Sequence, residues 1–333
     1  MAKPFDLVVI GTGHAGSGVA TACSSRGWRV AIVDSRPYGG TCGLRGCDPK
    51  KVLVGAAELV DWASRMSGKG AGDGVQIDWP ALMRFKRTFT DPLPKAREEA
   101  FAQAGIETFH GRARFVSGNA VQVDGEMLEA RHVVVAAGAW PVRLGIPGED
   151  RLTRSDQFLE LDELPKRILF VGGGYIAFEF SHIAARAGAK VTIAHRGARP
   201  LEIFDSDLVA RLVERTRSLG IDLHLKTNVT GVEGRPGGFR VHADDGTGPV
   251  AFEADMVVHA AGRAPELADP LAALPAAERE ERAARGRALY ESLGCAGCHD
   301  AARTAPGVVP HPLANLARRH SPEELTRLLA APT

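Results

Sequence analysis

The 333-residue chain is 44% hydrophobic and 24% charged, with a formal net charge of +1. That length and apolar content suffice for two α/β domains with their own cores, and the near-neutral charge gives no reason to invoke nucleic acid or a charged membrane surface. No run is long and apolar enough to span a bilayer, and Met1-Ala2-Lys3-Pro4 enters the first strand at once with no room for a signal peptide, so a cytoplasmic location is expected.

Phe5 to Ile10 is an apolar run of the kind that forms a buried parallel strand. It leads into Gly11-Thr12-Gly13-His14-Ala15-Gly16, a helical stretch to Arg26, and a second strand, Arg29 to Val33, ending at Asp34. Strand, glycine turn, helix, strand and acid, in that order, make a dinucleotide fingerprint. Gly11 permits the tight turn, Gly13 lets the backbone approach a pyrophosphate, Gly16 allows close helix packing, and Asp34 is placed to accept from a ribose hydroxyl. An ordinary glycine-rich turn would leave Asp34 unexplained. Cys23, inside the first helix, reads as a packed core thiol.

Cys42 and Cys47 follow, in Gly39-Gly40-Thr41-Cys42-Gly43-Leu44-Arg45-Gly46-Cys47-Asp48-Pro49-Lys50-Lys51. A lone cysteine pair is ambiguous among metal site, redox pair and buried thiols. Here it begins a helix predicted over Lys50 to Trp62, and the positive helix start and neighbouring lysines both favour a thiolate. A dithiol beside the ring system held by the fingerprint points to redox chemistry between a flavin and a disulfide. Gly68 to Gly74 reads as a flexible loop. Ile106 to Val123 and Leu128 to Ala136 read as alternating strands of a meander, a style repeated over Asp222 to Val258.

A second fingerprint occurs downstream. The strand Arg167 to Val171 leads into Gly172-Gly173-Gly174-Tyr175-Ile176-Ala177, a helix through Ala187, and a strand from Lys190 to Ala194 that ends in His195 and Arg196 rather than an acid. Arg196 and Arg199 suit a 2′-phosphate, because guanidinium binds phosphate in a bidentate fork, so NADPH is favoured and NADH is the alternative. The plainer reading of these arginines is a solvated loop.

Two fingerprints imply two dinucleotides, one donating hydride and one relaying it. The chain resembles the pyridine nucleotide–disulfide oxidoreductases, the glutathione, mercuric and dihydrolipoamide reductase group, from Lys3 to Pro265. The resemblance is carried by Gly39-Gly40-Thr41-Cys42-x4-Cys47-x-Pro49-x-Lys51, by His132 to Pro141 with Ala137 and Gly138, by Gly172 to Glu179, and by Ala261-Gly262-Arg263-x-Pro265. It implies an α/β fold of two Rossmann-like domains with β-meanders, residues 1–150 binding FAD and residues 151–265 binding NAD(P). Gly40, Thr41, Ala137, Gly138, Gly262 and Arg263 would then line the cofactors. It further implies that Cys42 is the interchange thiol and Cys47 the flavin-facing one, and that Lys51 or Lys50 approaches the flavin and pairs with Glu179. Tyr175 would cover the nicotinamide pocket until NADPH displaces it. The physical case is independent: a lysine cation near a flavin stabilises the reduced anion, and a carboxylate compensates that cation in a dry site. Tyr175 and Glu179 lie one turn apart on one helix face. The acceptor would be a small-molecule disulfide or a metal ion.

After Pro265 the resemblance is expected to stop, before the family's Ala-x-Gly-Asp flavin motif and its interface domain, which places the family's dimer and its acid–base histidine in doubt. Residues 266–284 read as a linker. Residues 285–333 look like a partial, all-α class I cytochrome c. Within them Cys295-Ala296-Gly297-Cys298-His299 matches the attachment motif for haem c, with His299 as axial ligand. Zinc, completed by His311 or His320, is the rival. Covalent haem attachment conflicts with a cytoplasmic chain. The expected function is an FAD-dependent NAD(P)H oxidoreductase that reduces the Cys42–Cys47 disulfide, with a c-type haem as one-electron acceptor. The alternatives are a haem-binding electron-transfer protein on a low-activity scaffold, or a truncated or fused non-functional product.

Overall fold

A computed structural model describes residues 3–70 and 74–265. All the described residues fall within one compact unit, Met1–Ala268. The linker at 266–284 and the haem motif with Cys295, Cys298 and His299 lie outside the described residues.

The first lobe contains β1 (Lys3–Ile10), α1 (His14–Ser24), β2 (Val30–Asp34), α2 (Gly40–Arg45), α3 (Cys47–Met66), α4 (Trp79–Thr90) and α5 (Leu93–Gln103). It continues through β3 (Glu107–His110), β4 (Arg114–Ser117), β5 (Ala120–Val123) and β6 (Glu126–Val135). These strands form one sheet in the order β3-β2-β1-β6-β5-β4. The near-continuous Val/Ile/Leu runs of β1 and β2 are buried, as strands covered on both faces require. β6 belongs to both halves of the sheet, pairing parallel with β1 and antiparallel with β5. The meander expected from Ile106 onward therefore begins later: Glu107–His110 is a parallel strand beside β2. An alternating pattern alone does not tell an edge strand of a parallel sheet from a meander strand.

A connection follows through β7 (Ala139–Pro141), a 3-10 turn (Glu149–Arg151) and α6 (Ser155–Phe158). The second lobe holds β8 (Arg167–Val171), α7 (Tyr175–Arg186), β9 (Lys190–Ala194), α8 (Ser206–Ser218) and β10 (Asp222–His224). Then come β11 (Asn228–Arg235), β12 (Gly238–Asp244), β13 (Pro249–Ala254), β14 (Met256–His259) and β15 (Arg263–Pro265). A parallel sheet runs β10-β9-β8-β14, with a separate antiparallel β11-β12-β13 meander. This is the expected pair of Rossmann-like units, each with a meander.

One apolar cluster is common to both lobes. Leu53 and Ala57 of α3 and Met83 of α4 share it with Phe158, Phe170, Phe180 and Ile183. Phe158, fully buried, packs on the Phe180 ring at 4.9 Å between centroids and edge-on to Trp79 at 5.9 Å. Lys86 is wholly buried beside this cluster, and its ammonium donates to the Leu159 carbonyl at 2.9 Å and the Glu160 carboxylate at 2.7 Å. Both bonds are needed to hold a cation there. Among the described residues no helix is long and apolar enough to cross a membrane.

Candidate active site

The first glycine turn joins β1 to α1. Gly11 has φ +110°, and a Cβ on it would run into the Ala136 carbonyl oxygen. Gly40, at the start of α2 with φ +68°, approaches so closely that a Cβ on it would collide with the Gly13 Cα. Gly16 packs against the Gly11 carbonyl. The Asp34 carboxylate ties the turn to β2: Oδ2 accepts from the Thr12 N–H at 2.9 Å and its hydroxyl at 2.6 Å, and Oδ1 accepts from the Arg36 N–H at 3.0 Å. Backbone this close, with an anchored acid at the end of β2, fits the pyrophosphate and ribose of FAD. Arg45, half-buried among Asp34, Arg36 and Arg263, keeps a buried Nε without a hydrogen-bond partner. Nothing in the sequence distinguished it.

Cys42 lies in α2 and Cys47 opens α3, both as thiols, Cys42 partly buried and Cys47 exposed. α3 is longer at both ends than the predicted Lys50–Trp62. The expectation of a thiolate is corrected for Cys42. Burial, then the neighbouring Cys47 and the Asp48 carboxylate, push its thiol up to about 11. Desolvation and a nearby carboxylate outweigh the favourable helix start. The nearby Lys50 ammonium is committed elsewhere.

It is Lys50, not Lys51, that meets Glu179, with Nζ 2.5 Å from Oε1. Because α3 starts at Cys47, Lys50 falls one turn later on the side that packs against α7, and Lys51 is exposed. One ion pair thus joins the cysteine helix of the first lobe to the nucleotide helix of the second.

Tyr175 opens α7, half exposed, at a cleft of about 860 Å³ lined by Gly172, Gly174, Tyr175, Ile176, Arg196 and Arg263. The volume suits a nucleotide. Arg199 is placed differently from the expectation: its guanidinium donates to the Glu202 carbonyl at 2.6 Å and the Phe204 carbonyl at 3.4 Å, closing its own loop. Of the two arginines, Arg196 lines the cleft and Arg199 does not. Glu202, unremarked in the sequence, lines the same cleft. Arg263 meets the strand that directly follows Ala137-Gly138, since β15 pairs antiparallel with β7 and the Arg263 guanidinium donates to the Ala139 carbonyl. The Arg36 and Arg154 guanidiniums both lie over the Trp140 ring, at 5.0 and 4.9 Å from its centroid. Thr41 is exposed beside Cys42. Among the described residues no group of three metal-ligating side chains occurs.

This architecture has close relatives, and the pyridine nucleotide-disulphide oxidoreductase family matches residues 5–280. The chain belongs to that family. The match runs past Pro265, where the resemblance was expected to end. A glutathione reductase from Burkholderia cepacia is 36% identical over 262 residues, covering 78% of this chain and 58% of that protein. A trypanothione reductase from Trypanosoma congolense is 33% identical over 300 residues, covering 80% and 59%. Among solved structures, a HOCl-induced flavoprotein disulfide reductase from Escherichia coli superimposes with a TM-score of 0.69 at 28% identity, covering 79% of this chain and 57% of that one. The chain thus spans under three fifths of the length of these family members. FAD and NAD(P)H are the cofactors typical of the family.

Proposed function

We propose that the chain is an NAD(P)H:disulfide oxidoreductase that draws on NADPH to reduce the Cys42–Cys47 disulfide and then a small-molecule disulfide or metal ion. The Lys50–Glu179 pair carries this reading, because it ties the helix that Cys47 opens to the helix that follows the second glycine turn. Bound FAD would supply the two-electron link between a nicotinamide and a disulfide. The chain's own residues do the rest. Gly11, Gly13, Gly16 and Asp34 hold one dinucleotide, while Gly172, Gly174, Ile176, Arg196 and Arg263 hold the other. Tyr175 shields the cleft, Lys50 supplies a fixed positive charge, and Glu179 compensates it. Cys42 exchanges with the acceptor, giving up its thiol proton as it attacks, and the first product thiol leaves carrying a proton. Attack by Cys47 on the mixed disulfide frees the second. For a disulfide acceptor the balance is NADPH, a proton and one disulfide giving NADP⁺ and two thiols.

The test is to purify the protein, measure retained FAD, and count thiols by mass spectrometry before and after anaerobic NADPH. The proposal expects stoichiometric flavin and two new thiols assigned to Cys42 and Cys47. Failure to bind added FAD, or thiols that do not respond to NADPH, defeats it. A second reading rests on Cys295-x-x-Cys298-His299: a c-type haem as one-electron acceptor. Expression with a haem-attachment system should give a covalent haem stain abolished by Cys295→Ser with Cys298→Ser. No stain defeats this reading.

A further inference from the structure

A second charged contact joins the same two helices, far from the cysteines. Asp61, near the C-terminal end of α3, has a side chain only 12% exposed and receives three arginines. Its Oδ1 accepts from Arg186 of α7 at 2.9 Å and also from Arg215 of α8, while its Oδ2 lies 2.7 Å from Arg65 of α3 itself. Burial would raise the Asp61 carboxyl, and the Arg186 and Arg215 guanidiniums together hold it below the usual range. α8 has its own tie to α7, because the His182 ring shares a 2.9 Å hydrogen bond with Thr216.

At 1.5 Å rise per residue, Lys50 and Asp61 lie about 16 Å apart along α3, and Glu179 and Arg186 about 10 Å apart along α7. Two contacts separated in this way fix both the slide and the rotation of one helix on the other, where a single contact leaves a pivot. We propose that Asp61 and Arg186 are positioning residues: their ion pair sets α7 on α3 and so keeps Glu179 seated on Lys50. This rests on the proposed function for its catalytic meaning. Its geometric content is independent of any cofactor.

The protection of Lys50 reports the geometry in cofactor-free protein. Lys50 acetylation is followed by mass spectrometry in wild type, Arg186→Ala, Arg186→Lys and Arg215→Ala. Arg186→Ala, which unseats Glu179 from Lys50, should raise Lys50 acetylation about tenfold, the equivalent of about 1.4 kcal/mol of lost pairing. Arg186→Lys should restore most of the protection, and Arg215→Ala, which removes the α8 arm only, should leave Lys50 protected. Equal exposure in Arg186→Ala and Arg215→Ala would mean that the cluster serves general stability and would overturn the proposal, as would wild-type protection in Arg186→Ala. If either alanine variant fails to fold, Arg186→Gln and Asp61→Asn carry the comparison, with Lys50 exposure above wild type expected in both and wild-type values overturning it. In flavin-loaded protein, Arg186→Ala should lower the limiting rate of flavin reduction with NADPH affinity unchanged. Wild-type protein that takes up no flavin would instead count against the proposed function and leave the acetylation result standing.

Discussion

The Lys50–Glu179 pair allows an asymmetry to be worked out. The two groups are unequally covered: the Lys50 side chain is 15% exposed and that of Glu179 37%. At 2.5 Å and an effective dielectric near 20, their gross attraction is about 6–7 kcal/mol, most of which is offset by the desolvation of both ions. Removing one partner costs what the stranded charge then suffers. Glu179→Gln strands an ammonium with little access to water, which should cost about 2–3 kcal/mol, between the values for exposed and fully buried pairs. Lys50→Met strands a carboxylate that water still reaches, and should cost about 1 kcal/mol. Urea unfolding of both single variants and the double variant closes a cycle, with an expected coupling of about 1–2 kcal/mol. A Lys50→Met loss equal to or larger than that of Glu179→Gln would refute the reasoning from burial. Coupling below about 0.3 kcal/mol would refute the pair itself.

Gly40→Ala, which adds a Cβ against the Gly13 Cα at a left-handed φ, should abolish FAD-dependent thermal stabilisation while the cofactor-free protein still folds; retained stabilisation would contradict the cradle. Asp61 has a depressed folded value, so its stabilisation is fully present above its unfolded value of about 3.9 and is lost as pH falls through the lower folded value. The stability gap between wild type and Asp61→Asn should therefore be constant from pH 8 to about 4 and narrow below, as urea melts across pH will show. Alkylation of Cys42 should keep rising towards pH 11, and Asp48→Asn should shift that profile to lower pH because a repelling charge has gone; peptide mapping reads both. Arg196→Ala should raise the KM for NADPH about tenfold or more with little change for NADH, whereas Arg199→Ala, which opens a loop, should affect both nucleotides alike in steady-state assays.

Features that depend on one residue and its immediate neighbours were legible from the sequence. Gly11 and Gly40 announce themselves because only glycine tolerates their φ and their closeness to other backbone. Asp34 could be placed because its distance from the turn is set by one helix and one strand. Whether Lys50 or Lys51 met Glu179 was open, since a one-residue change in where α3 begins rotates the answer by 100°. Arg199 looked as suitable as Arg196 because sequence does not reveal that nearby carbonyls claim its guanidinium. Asp61 gave no signal at all. Its partners Arg186 and Arg215 lie 125 and 154 residues away, and a contact between sequence-distant helices leaves no local pattern.

The apolar cluster that runs from Leu53 of α3 through Phe158 to Phe170 of β8 has a consequence for how a nucleotide gets in and out. Lobes that share one interior cannot part like jaws without exposing it to water, so exchange must proceed by smaller movements at the rim. On the function proposed above, the half-exposed ring of Tyr175 and the loop closed by Arg199 would be the parts to swing aside while the scaffold stays shut.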